Sequence, residues 1–536
     1  MIRRLLVANR GEIALRVFRA CRARNIESVA VVTPDDLGSL HARSADLTAM
    51  ITSYLDASEY IRAARETDAD AIHPGYGFLA ESPTFAAATI ETGFTWIGPA
   101  AKALSLGGDK LAAKRIAAAA GIPTLPQGDP EDVGFPLVVK AAAGGGGRGM
   151  RVVRSRHELD DSLAAARREA EAAFADDTVF CERYLDRPRH VEVQIIADTV
   201  GHVVVFGERD CSVQRRHQKI VEESPAPDLA PATRSRLERA AGMFARAIGY
   251  SNAGTVEFLV DGDDFYFLEL NGRIQVEHPV TEETYGVDLV GLQFEVTEGK
   301  SLDALYPEPQ RHAIEARVYA EDPQTFLPQA GLIQRLRLPT TIRVDSGVEE
   351  GDTIGTSFDP MIAKLIARGQ TRVEALDRLR EALAETVVEG VHTNLPFLRW
   401  LVGHPVFVEG RTSTAFLVDY PPLSPYPRRL PTGSWRAPWR LNLPAPAPAS
   451  PPTVDGHHAA FHEHGDSDVT APMPGTVLRV EVAAGDAVRA HQPLVVLEAM
   501  KMETPVTSPF DATVKSVHVA AGDRVDGGAL LVELAT

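Results

Sequence analysis

The chain has 536 residues, of which 44% are hydrophobic and 24% charged, as in a globular protein with several domains. Its formal net charge of −18 excludes nucleic acid and an anionic membrane surface as the main partner. The three cysteines are far apart and lack the spacing of a disulfide framework or a zinc site, which predicts a reducing, cytoplasmic setting.

The N-terminal segment alternates strands and helices. Residues 5–8 and 28–32 are predicted strands, and residues 12–23 form a predicted helix with apolar residues at helical spacing. This order predicts a parallel βαβ unit that begins directly at the N-terminus, so we expect no signal peptide. No apolar run reaches the length of a membrane span. Residues 73–78 place two glycines and an aromatic residue after a further strand, where open α/β sheets bind ligands, although a purely structural turn would look the same.

A glycine-rich loop follows in the next segment. Asp109 is the predicted cap of an alanine-rich helix, and Lys110 at its amino end suits an anion, although a solvated lysine is the ordinary interpretation. The glycines at 144–149 join two predicted strands, at 136–140 and 150–153. Because no helix and no Gly-Lys-Ser/Thr follow, the loop is neither a P-loop nor a dinucleotide fingerprint. It predicts a hairpin lid over a nucleotide rather than a linker.

Two polar stretches come next. Residues 180–185 could contact an adenine, and residues 207–219 are a dense polar run that a charged surface loop would explain equally well. Residues 313–319 form a predicted strand that carries Glu315 and Arg317 on one face.

The chain from 254 to 278 carries the strongest chemical signal. Residues 254–260 form a predicted strand, and the turn residues at 261–264 fold the chain back so that Glu257 lies roughly opposite Glu269. Such carboxylates and a neighbouring amide suit Mg²⁺. Residues 267–278, treated as one strand, put five polar side chains on one face: Glu269, Asn271, Arg273, Gln275 and Glu277. Fully extended, this face would be roughly 26 Å long, so its ends meet only if the chain bends, and Gly272 is the expected place.

The C-terminal part changes in composition. Proline-rich sequence from about residue 421 predicts a stiff, extended linker. Residues 475–486 are echoed by residues 512–523, which predicts a pseudo-symmetric all-β sandwich. Lys501 lies in the turn between its halves, between two methionines, and is a predicted modification site.

Together these motifs carry a family resemblance. The tail, with Ala-Pro-Met-Pro-Gly475 and Glu-Ala-Met-Lys-Met502, resembles the biotinyl carrier domain of biotin-dependent carboxylases. Residues 1 to about 420 resemble biotin carboxylase, an ATP-grasp enzyme, through motifs at 7–14, 73–79, 144–150, 215–221 and 273–279. The closest type is the α subunit of a bacterial acyl-CoA carboxylase of the acetyl- or propionyl-CoA type.

The resemblance implies the fold class. We expect an α/β ATP-grasp biotin carboxylase, with a parallel α/β N-terminal domain, a Gly-rich lid and an α+β C-terminal part, plus a small all-β biotinyl/lipoyl-like carrier domain. The predicted segments are an N-terminal domain at 1–110, an ATP-grasp domain at 111–310 with its lid at about 130–200, a C-terminal domain at 311–422, a linker at 423–468 and the carrier at 469–536.

It also implies roles for the matching residues. ATP would be held by Lys110, Lys140, Gly144, Gly145, Gly146, Gly147, Gly149, Glu182, Leu185, His190, Gln214, His217 and Leu259. Magnesium or manganese would be held by Glu257, Glu269 and Asn271, the set that the hairpin argument reaches independently. Bicarbonate would be held by Lys219, Arg273, Gln275 and Val276, with Glu277 as its base. Tyr76 and Arg317 would lie at biotin, which a biotin protein ligase would attach to Lys501.

The implied function is ATP- and bicarbonate-dependent carboxylation of biotin on the chain's own C-terminal domain. The product, carboxybiotin, would go to a separate carboxyltransferase (β) subunit, because no stretch of this sequence is long enough for a transferase domain. We expect an oligomer that binds neither nucleic acid nor membrane. Arg183 and Gly272 depart from the family's common lysine and threonine, and the linker is shorter than the tether of propionyl- and methylcrotonyl-type subunits.

Two alternatives remain open at this point. One is another ATP-grasp ligase fused to a lipoyl-type domain, against which the methionines beside Lys501 speak. The other is a catalytically inactive carrier or scaffold subunit, against which the competent residue at every matched catalytic position speaks.

Overall fold

The computed structural model describes residues 2–142, 150–174, 176–215, 218–323, 325–421, 468–499 and 502–535. The chain divides into two compact units. The first comprises Met1–Ala316, Leu365–Arg380 and Pro405–Pro421, and the second comprises Arg317–Lys364, Glu381–His404 and Pro422–Thr536. Among the helices in these described ranges, none combines the length and the apolar character that crossing a bilayer requires.

The N-terminal part of the first unit is a five-stranded parallel sheet with spatial order β3-β2-β1-β4-β5. Its strands are β1 (Arg4–Val7), β2 (Glu27–Val32), β3 (Leu47–Met50), β4 (Ala71–His73) and β5 (Thr95–Trp96). The helices between them are α1 (Gly11–Arg22), α2 (Leu40–Ser44), α3 (Ala57–Glu66) and α4 (Pro83–Glu91), with a 3₁₀ turn at Pro34–Asp36. The predicted parallel βαβ unit is confirmed, because β1 and β2 pair parallel and α1 lies between them in sequence. The apolar residues of α1 bury one helical face against β1.

The loops that follow β1 and β4 lie side by side. Asn9 donates from Nδ2 to the carbonyl oxygens of Pro74 (2.8 Å) and Tyr76 (2.6 Å). Gly75 has φ of +63°, and a Cβ atom there would lie 2.8 Å from Asn9 Nδ2, so this turn requires glycine. The glycines of residues 73–78 therefore have a structural role in addition to any ligand that they approach.

A second sheet has the spatial order β6-β9-β7-β8. Its strands are β6 (Gln127–Gly128), β7 (Leu137–Ala141), β8 (Arg151–Val153) and β9 (Val179–Arg183). The neighbouring helices are α5 (Ala101–Gly108), α6 (Lys110–Ala119), α7 (Pro130–Val133) and α8 (Leu159–Phe174), with a 3₁₀ turn at Arg156–Glu158. β7 and β8 pair antiparallel, as a hairpin requires, and the glycines between them lie outside the described residues. The predicted cap is confirmed, because Asp109 accepts the backbone N–H of Ala112 at 2.9 Å.

The remaining sheet of the first unit includes the antiparallel run β14-β13-β10-β11-β12-β15. The strands are β10 (Arg189–Ala197), β11 (Val203–Arg215), β12 (Gln218–Ser224), β13 (Asn252–Asp261), β14 (Asp264–Asn271) and β15 (His312–Tyr319). The accompanying helices are α9 (Pro231–Ala247), α10 (His278–Tyr285) and α11 (Leu289–Thr297). Apolar side chains of β10, β13 and β14 pack against α9 in one buried cluster.

The predicted single strand over residues 267–278 is wrong beyond Asn271. Glu257 pairs with Glu269 and Phe258 with Phe267, so Leu268 is an extra residue on its strand, as in a β-bulge. The bulge explains why Phe267 is buried in the core although simple alternation would place it on the polar face with Glu269. After Asn271 the chain leaves the sheet, which confirms the bend expected at Gly272.

Residues 317–421 add further elements. They are β16 (Gly331–Leu332), β17 (Arg335–Arg337), β18 (Arg343–Ser346), β19 (Thr353–Ile354), β20 (Met361–Gly369), α12 (Arg372–Glu385), β21 (Val387–Glu389), α13 (Leu395–Gly403), α14 (Pro405–Val408) and α15 (Phe416–Asp419). Of the predicted linker, residues 423–467 lie outside the described residues, and Asp468 begins β22 (Asp468–Thr470).

The C-terminal part is a two-sheet β structure, as predicted, with orders β22-β29-β27-β24 and β26-β25-β23-β28. Its strands are β22 (Asp468–Thr470), β23 (Gly475–Val480), β24 (Ala487–Val488), β25 (Pro493–Ala499), β26 (Met502–Thr507), β27 (Ala512–Val517), β28 (Arg524–Val525) and β29 (Leu530–Ala535). The two repeated sequence segments also share local structure. Asp486 and Asp523 each accept the backbone N–H of the residue three positions before them, at 2.8 and 2.7 Å. Gly485 and Gly522 share φ values of +96° and +95°. β25 pairs with β26 up to Ala499 and Met502, so the predicted hairpin is confirmed, while Lys501 lies outside the described residues.

Candidate active site

The centre of the candidate site is the ammonium group of Lys219 on β12. Its Nζ lies 2.6 Å from Glu277 Oε1 and 2.8 Å from Glu257 Oε1, and it also contacts Glu192. The side chain of Lys219 is only 12% exposed. Burial opposes its charge, but the three carboxylates outweigh burial and raise the pKa of Lys219 well above its usual range. One fixed cation therefore holds three buried carboxylates together.

Strand register explains how two of these carboxylates meet. Glu192 on β10 pairs with Glu257 on β13, and Glu257 pairs with Glu269 on β14, so three acidic residues form a row across three strands. The predicted opposition of Glu257 and Glu269 is confirmed. Sequence reasoning missed Glu192, although His190, Glu192 and Gln194 alternate with apolar residues in a period-two pattern that could have indicated it.

Glu257 and Glu269 differ in their electrostatic surroundings. Burial raises the pKa of Glu269, and the neighbouring Glu257 raises it further. Burial also acts on Glu257, but Lys219 and His190 outweigh it and hold the pKa of Glu257 well below its usual range. The Asn271 amide completes this group by donating to Glu257 Oε1 at 2.8 Å. The set supplies buried carboxylate and amide oxygens, which is the donor chemistry that a hard divalent cation takes.

Glu277 reaches Lys219 because the chain turns sharply after β14. Residues 272–276 form the turn, and Glu277 is the cap residue of α10. Pro279 follows within the first helical turn, a position that favours helix initiation. Glu277, at one end of the predicted polar face, thus shares one ammonium group with Glu257, which pairs with Glu269 at the other end of that face.

Arg273 and Gln275 belong to the same turn. Arg273 donates from Nε to Glu81 Oε2 at 3.0 Å and from Nη2 to Asn271 Oδ1 at 3.1 Å. Gln275 donates to Glu257 Oε1 at 3.1 Å, and its own Oε1 lies 3.3 Å from Lys219 Nζ. The turn also contains Val276, which is half-buried. These predicted bicarbonate ligands are therefore brought together with the candidate base.

A fully buried arginine supports this group from behind. Arg209 donates to Glu192 Oε1 at 2.5 Å, to Gln194 Oε1 at 2.7 Å and to the hydroxyl groups of Thr255 and Thr281. A buried guanidinium is stable only when such partners satisfy it. Arg209 therefore fixes Glu192, which in turn contacts Lys219.

The predicted nucleotide ligands include a second buried ionic group. Glu182 on β9 is fully buried and contacts both Lys140 on β7 and Lys114 on α6. Burial lowers the pKa of Lys140 to about 8 and that of Lys114 to about 6. Lys114 was missed from the sequence, although it lies one helical turn after Lys110 on the same face.

Of two further predicted nucleotide ligands, His190 contacts the acidic row and Gln214 contacts His190. His190 Nε2 lies 2.8 Å from Glu257 Oε2, and His190 Nδ1 lies 2.6 Å from the amide nitrogen of Gln214. Burial disfavours the charged ring, but Glu257 outweighs it and raises the pKa of His190. The ligand atoms of His190, Glu192 and Glu257 lie within 4.8 Å of one another, an arrangement with metal-binding capacity. Leu259 pairs with His190 across β13 and β10.

Three further predicted residues have the following positions in the structure. The hydroxyl group of Tyr76 donates to Glu12. Leu185 follows β9. Arg317 lies buried on β15 in the second unit, where its carbonyl accepts from Asn394 Nδ2 at 2.9 Å. The remaining predicted site residues lie outside the described residues: Gly144, Gly145, Gly146, Gly147, Gly149, His217 and Lys501.

Comparison with known families accounts for nearly all of the chain. Residues 1–104 match the biotin carboxylase N-terminal domain, and residues 127–305 match the ATP-binding domain of the carbamoyl-phosphate synthase L chain. Residues 315–419 match the biotin carboxylase C-terminal domain, and residues 467–534 match a domain described as biotin-requiring enzyme.

Individual proteins agree with these matches. A biotin-dependent acyl-coenzyme A carboxylase alpha3 subunit of Mycobacterium leprae is 44% identical over 94% of this chain and 94% of its own length. The biotin carboxylase–βγ-ATP complex of Campylobacter jejuni covers 78% of this chain and 99% of that chain, with 39% identity and a TM-score of 0.77. The biotin carboxylase domain dimer of Hydrogenobacter thermophilus 2-oxoglutarate carboxylase, solved with MgADP, ADP and bicarbonate, covers 80% of this chain and 99% of that chain, with 40% identity and a TM-score of 0.77.

Proposed function

The chain belongs to the biotin carboxylase family of ATP-grasp ligases, with a biotin/lipoyl-type domain on the same chain, and we propose that Lys219 and Glu277 form its bicarbonate-activating centre. The enzyme uses ATP and bicarbonate to carboxylate biotin, as the α subunit of an acyl-CoA carboxylase does. The observation that supports the proposed centre is the contact of one buried ammonium with Glu277 and Glu257. The division of the chain into segments at 1–110, 111–310, 311–422, 423–468 and 469–536 stays part of the proposal.

Bicarbonate becomes a good nucleophile only when it loses its proton. Glu277 is the proposed base, because its carboxylate is buried beside the groups that would hold the anion. Lys219 and Arg273 would offset the negative charge, and Gln275 and Val276 would fix the orientation. The oxygen freed by Glu277 attacks the γ-phosphate of ATP, which forms carboxyphosphate and releases ADP. Carboxyphosphate then breaks down to CO₂ and phosphate.

ATP would be bound by both buried ionic groups and by the glycine-rich loop. Lys140 contacts Glu182 in one group, and His190 contacts Gln214 and Glu257 in the other. Lys110 would add a further cation for the phosphates. Leu185 and Leu259 would contact the base, and Gly144–Gly149 and His217 would close over the phosphates. Glu257, Glu269 and Asn271 fit a magnesium or manganese ion, which when bound neutralises phosphate charge.

Biotin would be attached to Lys501 by a biotin protein ligase. When bound, it would supply the ureido nitrogen that takes up CO₂, and the phosphate released from carboxyphosphate would accept the proton of that nitrogen. Arg317 would stabilise negative charge at the ureido group, and Tyr76 would help to position the ring. The pairing of β25 with β26 up to Ala499 and Met502 supports this attachment, because it makes Lys501 part of a hairpin connection in the sequence.

A separate carboxyltransferase subunit would use the carboxylated carrier, and an acyl-CoA would be the final acceptor. The name of the Mycobacterium leprae relative, an α3 subunit of an acyl-CoA carboxylase, supports this proposal. We also propose an oligomeric, cytoplasmic enzyme. The dimeric Hydrogenobacter domain supports the first point, and the free thiols of Cys21, Cys181 and Cys211 support the second.

Labelled bicarbonate tests this proposal directly. The chain is co-expressed with a biotin protein ligase, purified, and incubated with ATP, Mg²⁺ and radiolabelled bicarbonate. We expect one added biotin by intact mass and label on the protein, and neither in a Lys501→Arg variant. A lipoyl group at Lys501 would instead support a lipoyl-type ligase fusion. A biotinylated chain without bicarbonate-dependent ADP formation would support an inactive scaffold.

A further inference from the structure

Glu81 makes a two-pronged contact with the turn that follows β14. It lies in the loop between β4 and α4, and its two carboxylate oxygens bind two successive residues. Oε1 accepts the backbone N–H of Gly272 at 3.0 Å, and Oε2 accepts Nε–H of Arg273 at 3.0 Å. A single side chain from a distant part of the sequence thereby restrains both the backbone and the side chain at the bend.

The bend has little restraint of its own. Gly272 has no side chain, so its backbone samples more conformations than any other residue would at this place. A Cβ atom there would lie 2.6 Å from Leu104 Cδ2, so a larger residue would fit only if the leucine moved. Glycine thus stands where threonine is common in the family, and its backbone depends on contacts from other residues to stay in one conformation. Glu81 provides such a contact by accepting the N–H of Gly272.

We propose that Glu81 is a positioning residue that fixes Arg273 for bicarbonate binding, an inference that rests on the function proposed above. Asn271 Oδ1 accepts from Nη2 of Arg273 at 3.1 Å, so the guanidinium is held from two sides. A preorganised guanidinium binds a planar oxyanion better than a mobile one, because less freedom is lost on binding. Glu81 acts through Arg273 and does not touch the reacting atoms.

If Glu81 had a purely structural role, its substitution would mainly lower the stability of the fold. The Glu81 side chain is 43% exposed, and an exposed ion pair contributes little to stability. Glu81→Gln should therefore leave folding almost unchanged while it weakens the hold on the guanidinium. Glu295→Gln is a matched control, because Glu295 is 33% exposed and pairs with Lys300 at 2.5 Å, away from the site.

The experiment measures ADP formation with free biotin while bicarbonate and ATP are varied separately. For Glu81→Gln we expect the KM for bicarbonate to rise about tenfold or more, with an unchanged KM for ATP and an unchanged melting temperature. Glu295→Gln should behave as the unsubstituted chain. An unchanged KM for bicarbonate would overturn the proposal, and so would an equal rise in both KM values.

Coupling to Arg273 supplies the second test. In an Arg273→Lys background the guanidinium that Glu81 holds is absent. Glu81→Gln should therefore add less than a twofold further change in the KM for bicarbonate. A full tenfold effect in that background would show that Glu81 acts by another route and overturn the proposal. If the unsubstituted chain itself formed no ADP, the proposed function would fail instead, so the two failures are distinguishable.

Discussion

Lys219 Nζ lies 2.6 Å from Glu277 Oε1, so an ion pair buried from water holds the proposed base of the reaction. The same ammonium lies 2.8 Å from Glu257, a proposed metal ligand. Lys219 therefore links the part of the site that would activate bicarbonate with the part that would hold the metal and nucleotide. An anionic substrate that binds Lys219 must compete with carboxylates already in contact with it, which couples bicarbonate binding to the state of Glu277.

Glu277→Gln should separate these two parts of the site. We expect the variant to bind MgATP normally in calorimetry and to lose bicarbonate-dependent ADP formation by about 10²–10⁴-fold, the usual cost of removing a general base. Glu269→Gln should instead weaken MgATP binding, because Glu269 is a proposed metal ligand that pairs with Glu257 across the hairpin. The same nucleotide defect in both variants would contradict the separate roles.

Lys219→Met should destabilise the protein as well as inactivate it. The variant leaves three buried carboxylates without their shared cation, which costs about 3 kcal/mol of unfolding free energy. Urea denaturation at pH 7 measures this cost. Adding Glu192→Gln removes one of the three carboxylate charges that lost this cation, and it should restore part of the lost stability. Lys300→Met, which breaks an exposed pair, is the control, and an equal loss of stability there would rule out this explanation.

The sequence was sufficient for part of this site. The turn residues at 261–264 predict the hairpin and bring Glu257 near Glu269. A regular hairpin from that turn would pair Glu257 with Leu268, so the direct pairing of the two carboxylates also depends on the bulge. The bend at Gly272 was also predictable, since the polar face was too long for one strand to serve one site. Local patterns therefore predicted those contacts that one hairpin and one turn create.

Other parts of the site depend on non-local packing. Leu268 interrupts the strand period as an extra residue, and no local signal distinguishes a bulge from regular alternation. The contacts of Lys219 with Glu192 and Glu277 require that β12, β10 and the turn before α10 converge, and strand order is not encoded in the period of any one strand. Arg209 belongs to the polar run at 207–219, which a charged surface loop would explain equally well from the sequence. Its burial was not predictable, because its partners come from three other elements.

Lys114→Met should impair nucleotide use while bicarbonate use is retained. Lys114 is buried against Glu182, and methionine keeps most of its volume while it removes the amine. We expect the KM for ATP to rise about tenfold, because Glu182 loses one of its two ammonium partners and no longer holds its position beside Lys140, with an unchanged KM for bicarbonate. The exposed Lys102→Met is the control. An equal change in both KM values would indicate a general structural defect.

His73 should make stability fall in mild acid. It is fully buried; its Nδ1 accepts the Gly75 N–H at 3.0 Å, and its Nε2 lies 3.1 Å from Gln293 Oε1, so the neutral ring is the form that fits. Burial lowers its pKa from 6.5 to about 4. Above pH 6.5 the ring is neutral in both the folded and unfolded states, and stability is full. As the pH falls from 6.5 towards 4, the unfolded state gains a proton that the folded state does not, so stability is lost.

The size of this effect distinguishes His73 from other acid-sensitive groups. Between pH 7 and pH 5 we expect His73 to account for a loss of about 2 kcal/mol in the free energy of unfolding. Urea denaturation at both pH values should show a smaller loss in His73→Asn, which keeps a polar side chain but cannot titrate. The buried His41, whose pKa burial also lowers to about 4, contributes a similar loss that persists in this variant. His157→Asn, at an exposed position, should keep the full pH dependence, and a His73→Asn variant that did the same would refute the assignment.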